Sequence, residues 1–279
     1  MRDALNRRKR FAGRDPDRVV ALTPRDLDMF EVLDRHGWLP TTFIAALINA
    51  SRKKVVERLN LLFHAGYVYR PPQQQNAYNA PYQALTYALD DAGRKTLGSR
   101  ANRNATPPGG WALHQFMVSC ITASIELACR KESFEFITQE QIISGSLSKH
   151  PSLDLPVRKA RLIPDQLFGI KYPDGKHRFF ALEADRATED RERFDMKTAQ
   201  YHDVCINETY RKAWGILDLK CLVVTTSTVR IDRIIGSTNK NFLFQAYDHF
   251  EHWNVPPVLY SLITAPWRTK TGTFEISRS

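Results

Sequence analysis

The residues best suited to chemistry lie between positions 161 and 185, in the run RLIPDQLFGIKYPDGKHRFFALEAD. Two β-rich stretches, 165–172 and 177–184, flank Pro173-Asp174-Gly175-Lys176. Proline presets φ for a turn and glycine accepts a positive φ, so this reads as a β-hairpin. Asp165 follows Pro164 at the mouth of the first strand, while Glu183 and Asp185 stand two apart on the second and so share a face. Three carboxylates near one strand pair repel each other unless water or a shared cation intervenes, and hard-oxygen clusters of this kind suit Mg²⁺ or Mn²⁺. Register tests the grouping. With Tyr172 opposite His177, Asp165 falls opposite Ala184, on the face away from Glu183 and Asp185. One extra residue in either strand restores the grouping, so a β-bulge near Gly169 or a turn of odd length is expected.

The elements around this hairpin must position it. TEDRERFDMKTAQYHDV reads as a helix carrying Lys197 one turn before Tyr201 on the same face. A tyrosine there has the chemistry of a nucleophile, but a lone helical tyrosine is more often a packed aromatic. Upstream, Trp111 opens a helix whose Leu113, Phe116, Met117, Cys120, Ile121, Ile125 and Ala128 form a buried stripe. Glu126 lies off that stripe with Gln115, Ser119 and Thr122 and reads as a solvated carboxylate; His114 reads as a packed or hydrogen-bonded histidine. Downstream, LKCLVVTT is a buried strand, TVRIDRIIGSTN a helix and VLYSLITA a further apolar run. His249 and His252 share a spacing that metals use, yet no third ligand is evident, and they read as surface residues.

The N-terminal part carries a different chemistry. Residues 1–110 hold 18 basic and 10 acidic side chains out of a whole-chain net charge of +10, so the excess sits there. That is the electrostatic footprint of a polyanion partner, most often nucleic acid. Residues 1–22 form a basic, apolar-poor arm with Arg7, Arg8, Lys9 and Arg10 available to DNA phosphates. Thr23 caps a helix with Pro24 at its first position and an apolar face of Leu27, Phe30, Val32 and Leu33, ending at His36-Gly37. A short segment around Phe43-Ile44 and Leu47-Ile48 follows, and Ser51 then caps a helix with Val55, Val56, Leu59, Leu62 and Phe63 at helical spacing, stopped by Gly66. Its other face shows Arg52, Lys53, Lys54 and Arg58. Tyr67-Val68-Tyr69, an uncharged loop over 71–82, and the alternating Leu85, Tyr87 and Leu89 of a half-buried strand complete the order of a winged helix-turn-helix over 23–97. A recognition helix must be apolar where it packs and basic at its N-terminal end, where it meets phosphates and base edges, and 51–58 meet that demand.

Composition bounds the rest. At 279 residues, 43% hydrophobic and 25% charged, the chain suits one large domain or two modest ones. No apolar run comes near the roughly 18 residues that span a bilayer and no apolar stretch follows the basic N-terminus, so neither membrane span nor secretory signal is expected and a cytoplasmic location is. Cys120, Cys129, Cys205 and Cys221 are scattered and read as reduced core residues, with no zinc site. The loop formers GSRANRNATPPGG place a linker over 98–110 and a second domain over 111–279. The expected class is α/β in an α+β arrangement: an N-terminal winged helix-turn-helix, then a mixed sheet flanked by helices.

The order Pro-Asp, hairpin, Glu-x-Asp resembles the core of the PD-(D/E)xK nuclease superfamily. With IPDQLF and FFALEADRATE, then a Lys and a Tyr one turn apart behind a winged helix, residues 23–225 resemble the replication-relaxation family of plasmids and mobile elements. That family is similar in turn to one class of conjugative relaxases. The resemblance implies a restriction-endonuclease-like second domain in which Asp165 and Glu183 hold Mg²⁺ or Mn²⁺, Glu126 matches an acid on the first helix, and catalysis nicks or cleaves DNA. Asp185 departs from the pattern, since the superfamily has a lysine there, and Lys197 is the candidate replacement. Two readings follow: a metal-dependent endonuclease acting in replication or transfer, or a non-catalytic regulator whose nuclease-like domain serves dimerisation or partner binding. Double-stranded DNA is the expected partner in both; a homodimer stays open, because no coiled-coil seam settles it.

Overall fold

The computed structural model describes residues 13–15, 17–76, 80–98, 111–145, 152–157, 160–186 and 191–278. Arg7, Arg8, Lys9 and Arg10 of the expected arm, and the linker apart from Gly98, lie outside them. The fold is mixed α/β and divides into two compact units. The first takes the described residues up to Ala123 with His252–Pro257; the second takes Ser124–Glu251 and Val258 onward.

In the first unit, helix α1 (Pro24–His36) leads through strand β1 (Leu39–Pro40) to α2 (Thr41–Leu47) and α3 (Arg52–His64). Strands β2 (Val68–Tyr69) and β3 (Thr86–Leu89) then precede α4 (Asp91–Leu97), a helix without a counterpart in the expectations. The sheet order is β1-β3-β2, with β3 antiparallel to both neighbours. The start of α1 follows the sequence closely: Pro24 is its first residue, and Thr23 and Asp26 form a capping box. Phe30, Val32 and Leu33 on α1 and Val55, Leu59, Leu62 and Phe63 on α3 are buried as expected, but Leu27 and Val56, expected with them, are exposed, and Asp26 and Met29 join the buried face of α1. The alternation expected of β3 gives way to burial of all four residues. β3 is the central strand, and its Ala88 packs in a cluster with Trp38, Ala112 and Trp253. Between β2 and β3, the Gln74 side chain plays the part of a missing strand, accepting from Thr86 N at 2.9 Å and donating to Thr86 O at 3.0 Å.

Helix α5 (Trp111–Lys131) is shared, residues 111–123 belonging to the first unit and 124–131 to the second. Its length and composition are those of a helix that could cross a membrane, but 83% of its apolar window is buried within the protein. Its polar face is not solvated as expected, since Ser119, Thr122 and Glu126 are all buried. The hydroxyls are matched by buried partners: Ser119 Oγ accepts from Trp38 N at 3.0 Å, and Thr122 Oγ1 lies 3.0 Å from His36 Nδ1.

The second unit continues with β4 (Glu135–Ile137), α6 (Gln139–Ser144) and the pair β5 (Leu155–Val157) and β6 (Ala160–Leu162). The hairpin β7 (Gln166–Lys171) and β8 (His177–Asp185) leads to α7 (Arg191–Ile206) and α8 (Thr209–Trp214). Then come β9 (Lys220–Thr225), α9 (Thr228–Ile234), β10 (Phe242–Ala246), α10 (Ser261–Thr264), β11 (Trp267–Thr269) and β12 (Gly272–Phe274). Seven strands form one sheet in the order β12-β11-β10-β9-β8-β7-β4. β8, β9 and β10 run parallel and the other pairs antiparallel, so β4, β7 and β8 form a meander and α7 serves the crossover to β9. A core of Leu167, Ala181 and Val223 from the sheet with Phe194, Tyr201, Val204, Ile231 and Ile234 from the helices places α7 and α9 on one face.

The hairpin resolves the question of register. Lys171 pairs with His177 and Gln166 with Leu182, so residues 172–176 form a turn of odd length. There is no bulge at Gly169, which pairs regularly with Phe179. Glycine stands there for another reason: a Cβ would come within 2.9 Å of the Phe179 ring and 3.3 Å of Ile137.

Candidate functional site

Continued one step beyond β7, that register places Asp165 opposite Glu183 rather than Ala184. Asp165 N donates to Leu182 O at 3.1 Å, and its Oδ2 accepts from Ala184 N at 2.8 Å. The carboxylate thus finishes the β7–β8 ladder in place of a main-chain carbonyl, which fixes it at the end of β8. Glu183 is 5% exposed. Its Oε1 accepts from the Tyr201 hydroxyl and its Oε2 is ion-paired with Lys197 Nζ, both partners from α7. Burial, and then the charge of Asp165, push the Glu183 carboxyl up to about 7 against the pull of Lys197 and Tyr201. Tyr201 is buried, its ring meeting Phe242 edge-on, and burial and the Glu183 charge hold its phenol well above the ordinary range.

Asp185 has a separate partner. Its Oδ2 accepts from Arg230 Nε on α9 at 2.8 Å, both side chains being nearly buried. Glu126 is paired with Arg130 one turn further along α5 at 2.5 Å, and the charges acting on Glu183 come from Asp165 and Lys197. Among the described residues, no three Asp, Glu, His or Cys side chains gather as a metal-holding group. The structure therefore brings Asp165, Glu183, Lys197 and Tyr201 together and gives Asp185 and Glu126 to arginines. Arg230 was missed in the sequence, where it is one basic residue in an amphipathic helix; no local spacing links it to a carboxylate 45 positions away. His249 and His252 are exposed, as expected, and His114 packs edge-on against Trp111. The four cysteines are free, and three of them are buried.

In the first unit, Arg52, Lys53 and Lys54 are exposed on the first turn of α3. Arg58, expected beside them, turns inward instead: its Nε and Nη2 donate to the two oxygens of Asp26 at 2.7 and 2.6 Å, and Nη2 also reaches Ala21 O at 2.7 Å. Asp26 is fully buried and accepts from Thr23 N and Oγ1 as well, at 2.7 and 2.8 Å. Burial alone would raise its carboxyl, but the hydrogen bonds from Arg58 and Thr23 outweigh it and hold the group below its ordinary range. A buried carboxylate requires this compensation, and Arg58 is the charge within reach. At the base of the loop after β2, Arg70 donates to Tyr87 and Asn60 and lies over the Phe63 ring at 4.1 Å. Arg14 is likewise anchored, ion-paired with Asp90 and bonded to Val68 O at 3.1 Å.

Comparison with curated proteins and with solved structures gives no match. A family model described as replication-relaxation matches residues 30–219, from α1 through the whole β7–β8 hairpin and α7. That span exceeds half of the chain and links it to a role related to replication or mobile elements; the protein belongs to the replication-relaxation family.

Proposed function

We propose that this is a DNA-binding protein acting in replication or transfer of a mobile element, with a phosphodiester-cleaving site in its second unit. The observation that carries the reading is the pairing of Lys197 with Glu183 beside Asp165 at the end of β8. A lysine absent from its usual strand position is supplied to the same carboxylate by the next helix. The meander β4-β7-β8, the helix α7 and the parallel strand β9 support a nuclease-like core, with Asp165 at the mouth of its second strand and Glu183 on its third. Asp165 and Glu183, two hard-oxygen donors acting on each other, fit a divalent cation. Bound there, Mg²⁺ or Mn²⁺ would supply charge neutralisation and a more acidic water. Lys197 presents an ammonium to the negative charge that develops on the phosphate, and Tyr201 holds Glu183 in one orientation. The first unit, read as a winged helix, offers Arg52, Lys53 and Lys54 to DNA phosphates.

The test is cleavage of supercoiled plasmid carrying the protein's own neighbouring DNA, with Mg²⁺ or Mn²⁺. Wild type should nick or linearise it, and Asp165→Ala, Glu183→Ala and Lys197→Ala should each lose about 10²-fold or more. One observation favours the non-catalytic regulator: both Glu183 oxygens and Asp185 Oδ2 already have protein partners. Duplex binding without cleavage by wild type, unchanged in all three variants, would select that reading.

A further inference from the structure

We propose that Arg230 and Thr225 form a binding site for a phosphodiester oxygen of the DNA backbone at the carboxyl ends of β8 and β9. The inference rests on the DNA-acting reading above and adds a subsite to it. Asp185 takes one edge of the Arg230 guanidinium through Nε at 2.8 Å, which fixes the plane of the fork. The nitrogen beside it is unmet: Arg230 Nη2 is buried with no hydrogen-bond partner among the described residues. Thr225 lies in register with Asp185 across the parallel β8–β9 pair, so its side chain stands on the same face. It is fully buried, and its Oγ1 also lacks a partner among the described residues.

Two buried donors without acceptors at one strand end are costly, more so when one belongs to a cation, and such groups call for an explanation. An anionic oxygen is the kind of acceptor that both lack. The place suits a ligand, since open α/β sheets bind theirs outside the carboxyl ends of parallel strands. The planar fork suits phosphate in particular, and Asp185 orients it while leaving Nη2 to the ligand. Glu183, with Lys197 on it, is two residues back on the same face of β8, so a backbone held by Arg230 and Thr225 runs beside the proposed reacting site.

The test measures binding of full-length protein to a DNA duplex across a salt series, in chelator, for wild type, Arg230→Lys, Thr225→Val and the double variant Asp185→Asn/Arg230→Gln. The double variant keeps a neutral hydrogen-bonded pair and the net charge of the protein, so a change in salt slope reads one phosphate left without its cation rather than an altered overall field. Its log–log slope should be shallower by about 0.9 and its affinity roughly tenfold lower. Arg230→Lys, which keeps a cation on Asp185, should lose affinity at unchanged melting temperature, and Thr225→Val should lose a few-fold with the slope intact. Wild type and variants alike in affinity and slope would overturn the subsite and leave Arg230 as a structural partner of Asp185. A wild type that binds no duplex would overturn the subsite and the DNA-acting reading together.

Discussion

Glu183 concentrates the electrostatics of the second unit. The fold removes its carboxyl from water, sets Asp165 beside it, and returns only part of the lost solvation through Lys197 and Tyr201. A carboxyl raised from 4.5 to about 7 binds its proton more tightly in the folded state than in the unfolded chain. Its contribution to stability is therefore complete below the unfolded value and lost as pH rises through the folded one. Wild type should lose melting temperature relative to Glu183→Gln between about pH 5 and pH 8, a window set by those two values. A thermal denaturation series of both proteins checks this. A difference that stays flat across the window would show that the carboxyl is solvated and Lys197 an ordinary surface cation.

At the scale of elements, α3 has two chemically distinct parts. Its first turn presents Arg52, Lys53 and Lys54 to solvent, whereas one turn later Arg58 ties α3 to the start of α1 through Asp26. Arg58→Ala leaves a buried carboxylate without its cation and should cost roughly 3 kcal/mol of stability, seen as a lower urea midpoint. Alanine at Arg52, Lys53 and Lys54 should leave that midpoint within about 0.5 kcal/mol, as surface changes do. If Arg58→Ala were as stable as these, the pair would not be holding the helices. The same residues show what the sequence could reveal. Helices α1 and α3 and the hairpin were legible because capping, turn and periodicity signals are local: Thr23-Pro24, Gly66 and Pro173-Asp174-Gly175 all act within a few residues, while Ser51 stands at the N-cap of α3 without a capping hydrogen bond from its side chain, and α4 was not foreseen. Lys197 was legible for the same reason, lying one turn from Tyr201. What was not legible depends on packing at a distance. The face of Arg58 is decided by Asp26, 32 positions away; the burial of Glu126 by what surrounds α5; and Gly169 by the Phe179 ring across the ladder rather than by a bulge. Even the odd-length turn was recoverable only as one of two repairs, because the grouping of the carboxylates constrains parity and not the place where it is corrected.

For the molecule as a whole, most of the binding falls on the proposed reading to the first unit, while the chemistry and the one phosphate contact of Arg230 fall to the second, and the two have different physical requirements. The basic excess of a chain with net charge +10 lies in residues 1–110, so affinity for duplex should follow salt and not a metal held at the carboxylates. Neutralising about five phosphates gives a log–log slope of roughly −4 to −5 on B-DNA. The three basic residues of the first turn of α3 should together account for more than half of it, since each phosphate left unneutralised takes away about 0.9. On the same reading, cleavage would depend instead on Asp165 and Glu183, two carboxylates that must be relieved of mutual repulsion before a polyanion can approach them. Chelation should therefore abolish cleavage, with any effect of Mg²⁺ on affinity or slope, as a competing counterion of DNA, the same in wild type and Asp165→Ala, whereas Arg52→Ala/Lys53→Ala/Lys54→Ala should flatten the slope and raise the DNA concentration needed for cleavage without changing the rate at saturation. Titration of labelled duplex in EDTA and in Mg²⁺, beside plasmid cleavage under the same conditions, separates the two. A slope that changes with Mg²⁺ in wild type but not in Asp165→Ala would mean that the carboxylates take part in binding, and the division of labour between the units would fail.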